Sequence, residues 1–289
     1  MTLHEPGALP GGLVDEHVRL PGIPGPFVEF PALLRGYVRK TLAIVALEAQ
    51  KLRHDPTELL TRAVQPALWL VVFGETMTTL GLMKTGYSSY LDFLAPGILA
   101  QSVLFVAIFY GIAAIWERDL GIIHKFMVTP TPRTALVLGK ALAAGVRALS
   151  QVLVIYALAF ALGVHVNLNP LALLGVIVIV FLGAALFATF SLIIAALVRT
   201  RERFMGIGQL LTMPLFFASS AIYPINIIPT WLQPVASVNP LTYMVDACRI
   251  LMVTPGIGNY SLGMDFGVLI GFNVVLILLG GRAYRRLVT

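Results

Sequence analysis

The sequence has little charge for its length. Only 12% of its 289 residues are Asp, Glu, Lys or Arg, and 58% are hydrophobic, whereas a soluble domain carries about 25% charged residues. So few charges cannot coat a water-soluble particle, which excludes a soluble enzyme, a nucleic-acid-binding module and a disordered protein. A single cysteine, Cys248, excludes an intramolecular disulfide and a cysteine-based metal cluster. The composition therefore predicts an integral membrane protein.

Two segments precede the first long apolar run. Residues 1–31 are rich in proline and glycine, which predicts an irregular cytoplasmic tail outside the bilayer. They lack the basic stretch followed by an apolar stretch of a signal peptide. Residues 32–60 place apolar residues at three- and four-residue steps with basic residues between them. This pattern predicts an amphipathic helix on the membrane surface, and packing against a soluble subunit is the alternative.

The remainder, residues 61–289, is predicted to be one transmembrane domain. An apolar helix of about 20 residues crosses a hydrocarbon core of about 30 Å. Six such runs predict an all-α protein with six transmembrane helices. The runs lie near residues 63–83, 92–115, 137–163, 171–198, 206–226 and 264–282.

The basic residues predict the orientation of these spans. Seventeen of the 20 Lys and Arg residues lie in or beside the N-terminal segment, the loops after the second and fourth runs, and the C-terminus. Only Lys84 and Arg249 fall on the opposite side, and Arg147 lies inside a run. Cytoplasmic loops are enriched in Lys and Arg. We therefore expect both termini in the cytoplasm of a bacterium, with the chain in its plasma (inner) membrane.

The loop at residues 116–133, between the second and third runs, combines apolar and charged side chains. A docking surface for another protein has this composition, and so has a connector that rests on lipid. The candidate contact residues are Glu117, Arg118, Asp119, Leu120, Gly121, Ile123, Lys125, Phe126 and Met127.

Residues 221–250 are apolar but contain too many prolines for one long helix. Irregular backbone at membrane depth requires cover from protein or a water-filled cavity, so we expect a re-entrant pair of short helices before the last span. Asn239 is placed to cap a helix that begins at Pro240, and Asp246 and Arg249 are spaced to pair. Trp231 and Tyr243 suit an interfacial aromatic belt. The prominent residues of this segment are Pro224, Pro229, Trp231, Asn239, Pro240, Tyr243, Asp246 and Arg249.

Three motifs carry a resemblance to a known family. The run Ala221-Ile-Tyr-Pro-Ile-Asn-Ile-Ile-Pro-Thr-Trp-Leu-Gln-Pro234, followed by Asn239-Pro-Leu-Thr-Tyr-Met-Val-Asp246 and Arg249, resembles the C-terminal motif of ABC-2 type transport permeases. Glu117-Arg-Asp-Leu-Gly121 resembles the family's coupling region, and Lys51…Asp55-Pro56 resembles its amphipathic entry. The family includes permeases of drug, nodulation-factor and polysaccharide exporters. The resemblance covers roughly residues 40–285.

The resemblance implies a transport subunit with no catalytic residues and no metal site of its own. It implies a homodimer, although a heterodimer with a related permease is the alternative, bound to two copies of a separate ABC ATPase. ATP and Mg are expected on that partner, because the sequence has no G-x-x-x-x-G-K-[ST] phosphate loop. Membrane lipid is a further expected partner, and nucleic acid is not expected to bind.

The expected function is ATP-driven export of an amphipathic or hydrophobic substrate such as a drug or lipid. Export of a lipid-linked polysaccharide or glycolipid is one alternative, and a membrane sensor or immunity protein without transport is another. The resemblance places the path at the first and fifth spans. The candidate lining residues are Phe73, Phe105, Phe109, Arg147, Phe216 and Phe217. The polar residues in the spans either line the path or form hydrogen bonds between helices, and we favour the second role. They are Gln101, Ser150, Gln151, Gln209 and Asn273.

Overall fold

The structure is a computed structural model that describes residues 46, 50, 61, 64–81, 85–120, 133–198 and 200–283. These residues form helices joined by turns, and no β-strand occurs among them. The predicted tail lies outside the described residues, as does the predicted interfacial helix at 32–60 apart from Ala46 and Gln50. The helical elements in chain order are a π-helix at Trp69–Gly74, α1 at Glu75–Leu80, α2 at Tyr90–Asp119, α3 at Arg133–Ala161, α4 at Pro170–Leu197, α5 at Arg201–Phe217, a 3₁₀ turn at Ile225–Ile227, α6 at Gln233–Val238, α7 at Pro240–Met252 and α8 at Leu262–Ala283.

Side chains fix where the helices begin. The Ser89 hydroxyl accepts a hydrogen bond from Leu91 N over 3.1 Å, and the Asp92 carboxylate accepts one from Ser89 N over 3.3 Å. This reciprocal capping box satisfies backbone donors that the first turn of α2 leaves open. The amide oxygen of Asn239 caps α7 with Pro240 at its first position, which confirms the prediction for this pair.

Four helices in the described ranges are long and apolar enough to cross a membrane, namely α2, the Val137–Ala161 part of α3, α4 and α8. They correspond to the runs predicted near 92–115, 137–163, 171–198 and 264–282. The other two runs contain shorter elements. Residues 64–80 are helical with the π-helix in the middle, and α5 has 17 residues and ends at Phe217. At 1.5 Å per residue, α5 is about 25 Å long, less than the hydrocarbon core.

Helix α2 forms the centre of the packed helices. Most of its residues from Tyr90 to Ile115 are buried. It packs against α3, α4, α5 and α7, and it also contacts the helical residues 64–80. Helix α2 has no polar face, because other helices rather than water surround it.

The backbone between α5 and the 3₁₀ turn, residues 218–224, folds back against α2; we call it the 218–224 turn. The close approach occurs at Gly97 of α2. A Cβ atom at this position would collide with the carbonyl group of Ala221. Gly97 therefore allows irregular backbone to lie directly on the central helix.

Candidate functional site

The charged residues at the end of α2 each bind a different part of the helical core. The carboxylate of Glu117 forms an ion pair with Lys140 of α3. The guanidinium of Arg118 donates to the carbonyl of Val198, just after α4, over 3.1 Å. Asp119 forms an ion pair with Arg201, the first residue of α5, over 3.0 Å. The end of α2 is thus attached to α3, α4 and α5 at once.

Burial and an aromatic contact strengthen two of the ion pairs that attach the end of α2 to its neighbours. Lys140 is only 6% exposed, so its ion pair with Glu117 is largely shielded from water. The guanidinium of Arg201 lies 3.7 Å from the ring centre of Trp116, which adds a cation–π contact to its ion pair with Asp119. We call Glu117, Asp119, Lys140 and Arg201 the cytoplasmic-end cluster, after the side predicted from sequence.

The cluster stands at the start of the predicted coupling loop, 116–133. Glu117, Arg118, Asp119 and Leu120 are described, and Leu120 is exposed. The remaining predicted contact residues lie outside the described residues. They are Gly121, Ile123, Lys125, Phe126 and Met127.

Arg249 of α7 and Asn239, which caps this helix, donate hydrogen bonds to the 218–224 turn and to the end of α5. Arg249, which is 2% exposed, donates to the carbonyl of Ser220 over 2.8 Å. Its guanidinium also lies 3.8 Å from the centre of the Phe93 ring. The amide nitrogen of Asn239 donates to the carbonyls of Leu215 and Ala218 over 2.7 and 3.2 Å.

A third side chain completes the cover of this turn. The Tyr90 hydroxyl, from the first turn of α2, donates to the carbonyl of Ile222 over 2.7 Å. The carbonyls of Ala218, Ser220 and Ile222 therefore all receive donors from α7 or α2. Irregular backbone in an apolar environment needs such partners, because each unsatisfied carbonyl is costly.

The prediction that Asp246 pairs with Arg249 is wrong: within the described part of the chain they form no salt bridge. The Asp246 carboxylate instead accepts bonds from the backbone nitrogens of Asn259 and Tyr260, each over 2.8 Å. Residues three apart on a helix are neighbours, but here the loop before α8 takes Asp246 while Arg249 turns towards Phe93 and the 218–224 turn.

The two aromatic residues assigned to an interfacial belt differ in placement. Trp231 is 73% exposed, as such a belt requires. Tyr243 is buried instead, with its ring 5.0 Å from that of Tyr260 and its hydroxyl donating to Ser237 O over 2.7 Å. Pro224 precedes the 3₁₀ turn and Pro229 follows it, so both lie where regular helix is absent.

The predicted pathway residues fall into separate places. Phe105 and Phe109 line a cavity of about 410 Å³ together with Gln101 of α2 and Gln151 of α3. Phe73 packs against Trp69 and Tyr90. The remaining three do not line this cavity: Phe216 is fully buried, Phe217 is partly exposed, and the Arg147 guanidinium lies 5.4 Å from the Tyr110 ring centre.

Sequence reasoning missed several residues that the fold brings together. Lys140 and Arg201 counted only as evidence of orientation, although they bind the carboxylates of α2. Asp92 is buried and accepts a bond from His165 N over 2.9 Å, 73 positions away. Only tertiary structure supplies these partners, so no local pattern could have revealed them. In the described ranges, no three His, Cys, Asp or Glu side chains are grouped to hold a metal ion.

Long apolar helices packed around a buried α2 are typical of a membrane-spanning helical protein. Its sequence matches the model of the ABC-2 type transporter family over residues 39–253. This match covers most of the chain, so the chain belongs to the ABC-2 type transporter family, whose members include transport permeases.

Individual relatives agree with this assignment. The chain is 27% identical to ycf38 of Cyanophora paradoxa, which carries a transport-permease name, over 74% of each chain. It is 24% identical to the daunorubicin resistance ABC transporter permease protein DrrB1 of Streptomyces coeruleorubidus, over 81% of each chain. It is 30% identical to nodulation protein J of Rhizobium leguminosarum bv. trifolii, over 68% of this chain and 74% of the relative.

Proposed function

We propose that this chain is the permease subunit of an ATP-driven exporter that moves an amphipathic or hydrophobic substrate outward across a bacterial plasma membrane. Membership of the ABC-2 family supports transport. The daunorubicin resistance permease among the relatives supports a substrate of this chemical kind. Few charged residues lie in the long helices, which also favours an uncharged or amphipathic cargo.

Energy comes from a separate ABC ATPase, which binds ATP and Mg and is present in two copies beside a permease homodimer. The observation that carries this proposal is the cytoplasmic-end cluster. A force applied to the 116–133 loop acts directly on α2, and the ion pairs of Glu117 and Asp119 pass it to α3 and α5. Transmission requires such stiff connections, because a flexible loop would absorb the movement.

We also propose that six segments cross the membrane with both termini in the cytoplasm. Helix 64–80 and α5 are then the first and fifth crossings, and α6 and α7 are the re-entrant pair before α8. The donors that α7 and α2 give to the 218–224 turn support this arrangement, because they allow irregular backbone to lie at membrane depth.

The test is to express the chain with the ABC ATPase encoded beside it and to purify through a tag on the permease alone. We expect the ATPase to co-elute and to hydrolyse ATP. Replacing Asp119 by Lys should reduce hydrolysis stimulated by the permease, whereas replacing the exposed Trp231 by Ala should leave it unchanged. A stable permease that retains no ATPase would contradict the proposal.

A further inference from the structure

The cavity beside Phe105 and Phe109 lies within one subunit, where Thr61, Gln65 and Pro66 face α2 and α3. Its volume of about 410 Å³ falls in the range of small-molecule sites. The resemblance in sequence places a transport path at the first and fifth spans, but Gln151 of α3 contributes to this cavity and α5 does not. The cavity therefore includes two of the predicted path residues, Phe105 and Phe109, but lies beside α3 rather than beside α5.

Two amide side chains that line the cavity each have a polar atom without a hydrogen-bond partner in the described part of the chain. Gln101 is 2% exposed and Gln151 is 1% exposed. Among the residues that the structure describes, neither Gln101 Nε2 nor Gln151 Oε1 has a hydrogen-bond partner. Buried polar atoms are normally bonded, and an exception calls for an explanation. One free donor and one free acceptor on facing helices are complementary to a group that both accepts and donates.

Another buried amide, Asn273, shows what an interhelical hydrogen bond looks like in this fold. The nitrogen of Asn273 on α8 donates to the carbonyl of Leu182 on α4 over 3.0 Å. This nitrogen fulfils the interhelical role expected for polar residues in spans, although Asn273 Oδ1 has no hydrogen-bond partner among the described residues. Gln101 Nε2 forms no such bond, so holding helices together does not explain why it is an amide.

The rest of the lining provides an apolar surface. The rings of Phe105 and Phe109, one helical turn apart, lie 6.0 Å between centres and are within 20° of parallel. They form an aromatic wall against which a flat or alkyl group can pack. None of the lining residues that the structure describes is Asp, Glu, Lys or Arg. A charged ligand would lose its hydration here without gaining a partner.

We propose that this cavity binds a neutral amphipathic molecule. Its aromatic or alkyl body packs on Phe105 and Phe109, while its hydroxyl or amide group accepts from Gln101 Nε2 and donates to Gln151 Oε1. The same chemistry occurs in a free small molecule and in a membrane lipid with a free hydroxyl group. That this site serves export rests on the proposed function, but binding itself does not.

Site-directed labelling measures occupancy without the ATPase. Gln65 lines the cavity and is exposed, whereas Val64 is exposed but does not line it. The native Cys248 is buried, so a maleimide reports mainly on an introduced cysteine. The full chain carrying Gln65→Cys is reconstituted in phosphatidylcholine nanodiscs, and its labelling rate is followed by intact mass. Val64→Cys is the matched control.

The probes are 2-naphthol and its methyl ether, 2-methoxynaphthalene, which keeps the acceptor oxygen but cannot donate. We expect 2-naphthol to slow labelling of Gln65→Cys, with an apparent affinity about two- to tenfold higher than that of the ether, the value of one neutral hydrogen bond. Labelling of Val64→Cys should be unaffected. Equal effects of both probes, or no protection, would overturn the proposal, as would a Gln65→Cys variant that is not labelled.

Variants assign the two bonds. Gln151→Leu removes the acceptor, so it should abolish the difference between naphthol and ether. Gln101→Leu removes the donor, so it should weaken both probes while the difference persists. If either variant fails to fold, the comparison of the two probes in the parent protein still decides the proposal.

A comparison of two lipid compositions distinguishes a membrane lipid from a free small molecule as the occupant of the cavity. Nanodiscs of phosphatidylcholine alone are compared with nanodiscs that also contain diacylglycerol, which has a free hydroxyl group. Slower labelling with diacylglycerol assigns the site to a membrane lipid, and protection by 2-naphthol alone assigns it to a free small molecule. Since no ATPase is present, a failure here leaves the proposed function standing, and loss of ATPase binding leaves this site standing.

Discussion

The guanidinium of Arg249 donates a hydrogen bond to the backbone carbonyl of Ser220 over 2.8 Å, in a place where both residues are buried. Helix α7 thereby supports the turn that follows α5, 29 positions earlier in the chain. Asn239, at the other end of the same helix, binds the carbonyls of Leu215 and Ala218. The motif that resembles the ABC-2 family thus has a structural role, because its polar residues satisfy backbone that no helix covers.

Replacing Arg249 by Met should therefore destabilise the protein. The Ser220 carbonyl would lose its charged donor in a buried place, which costs about 1–3 kcal/mol. The loss is measured as a lower midpoint of thermal unfolding in detergent. The same replacement at Arg282, which is exposed at the end of α8, is the matched control and should change the midpoint little. Equal effects at both positions would contradict the role assigned to Arg249.

Asn239 makes two kinds of bond that substitutions can separate. Asn239→Asp keeps an oxygen that caps α7 but loses the donors to Leu215 and Ala218, whereas Asn239→Leu loses both. We expect Asn239→Leu to lower the free energy of unfolding by about 1 kcal/mol more than a variant that keeps the cap. Denaturant unfolding monitored by tryptophan fluorescence measures the difference. The assignment fails if Asn239→Leu is as stable as the parent.

The parts of this fold that are local in sequence were predictable. Apolar runs located the four long helices, and the Asn239-Pro240 pair located the start of α7. The bonds of Arg249 were not predictable, because the spacing rule that suggested Asp246 considers only one helix. Its actual partners, Ser220 and Phe93, are separated from it by 29 and 156 positions. The ion pair of Asp119 with Arg201 spans 82 positions and was missed for the same reason.

A charge exchange tests the ion pair of Glu117 with Lys140. Glu117→Lys and Lys140→Glu each place like charges together in a poorly hydrated site, so each should reduce ATP hydrolysis stimulated by the permease several-fold. The double variant restores opposite charges and should recover most of the stimulated rate. Hydrolysis is measured on the purified complex, with the amount of bound ATPase quantified in each sample. If the double variant is no better than the single ones, the pair does not connect α2 to α3 during coupling.

Gly97 offers a test of how closely the 218–224 turn approaches α2. An alanine there places its Cβ against the carbonyl group of Ala221, which is backbone and cannot rotate away. We expect Gly97→Ala to destabilise the protein by about 1–3 kcal/mol, the cost of overpacking a core. Gly271→Ala on α8 is the control, because no atom lies within 4 Å of its new Cβ, and alanine favours a helix over glycine. The midpoint of thermal unfolding should therefore fall for Gly97→Ala and stay the same or rise for Gly271→Ala. A Gly97→Ala variant as stable as the parent would show that the 218–224 turn does not contact α2.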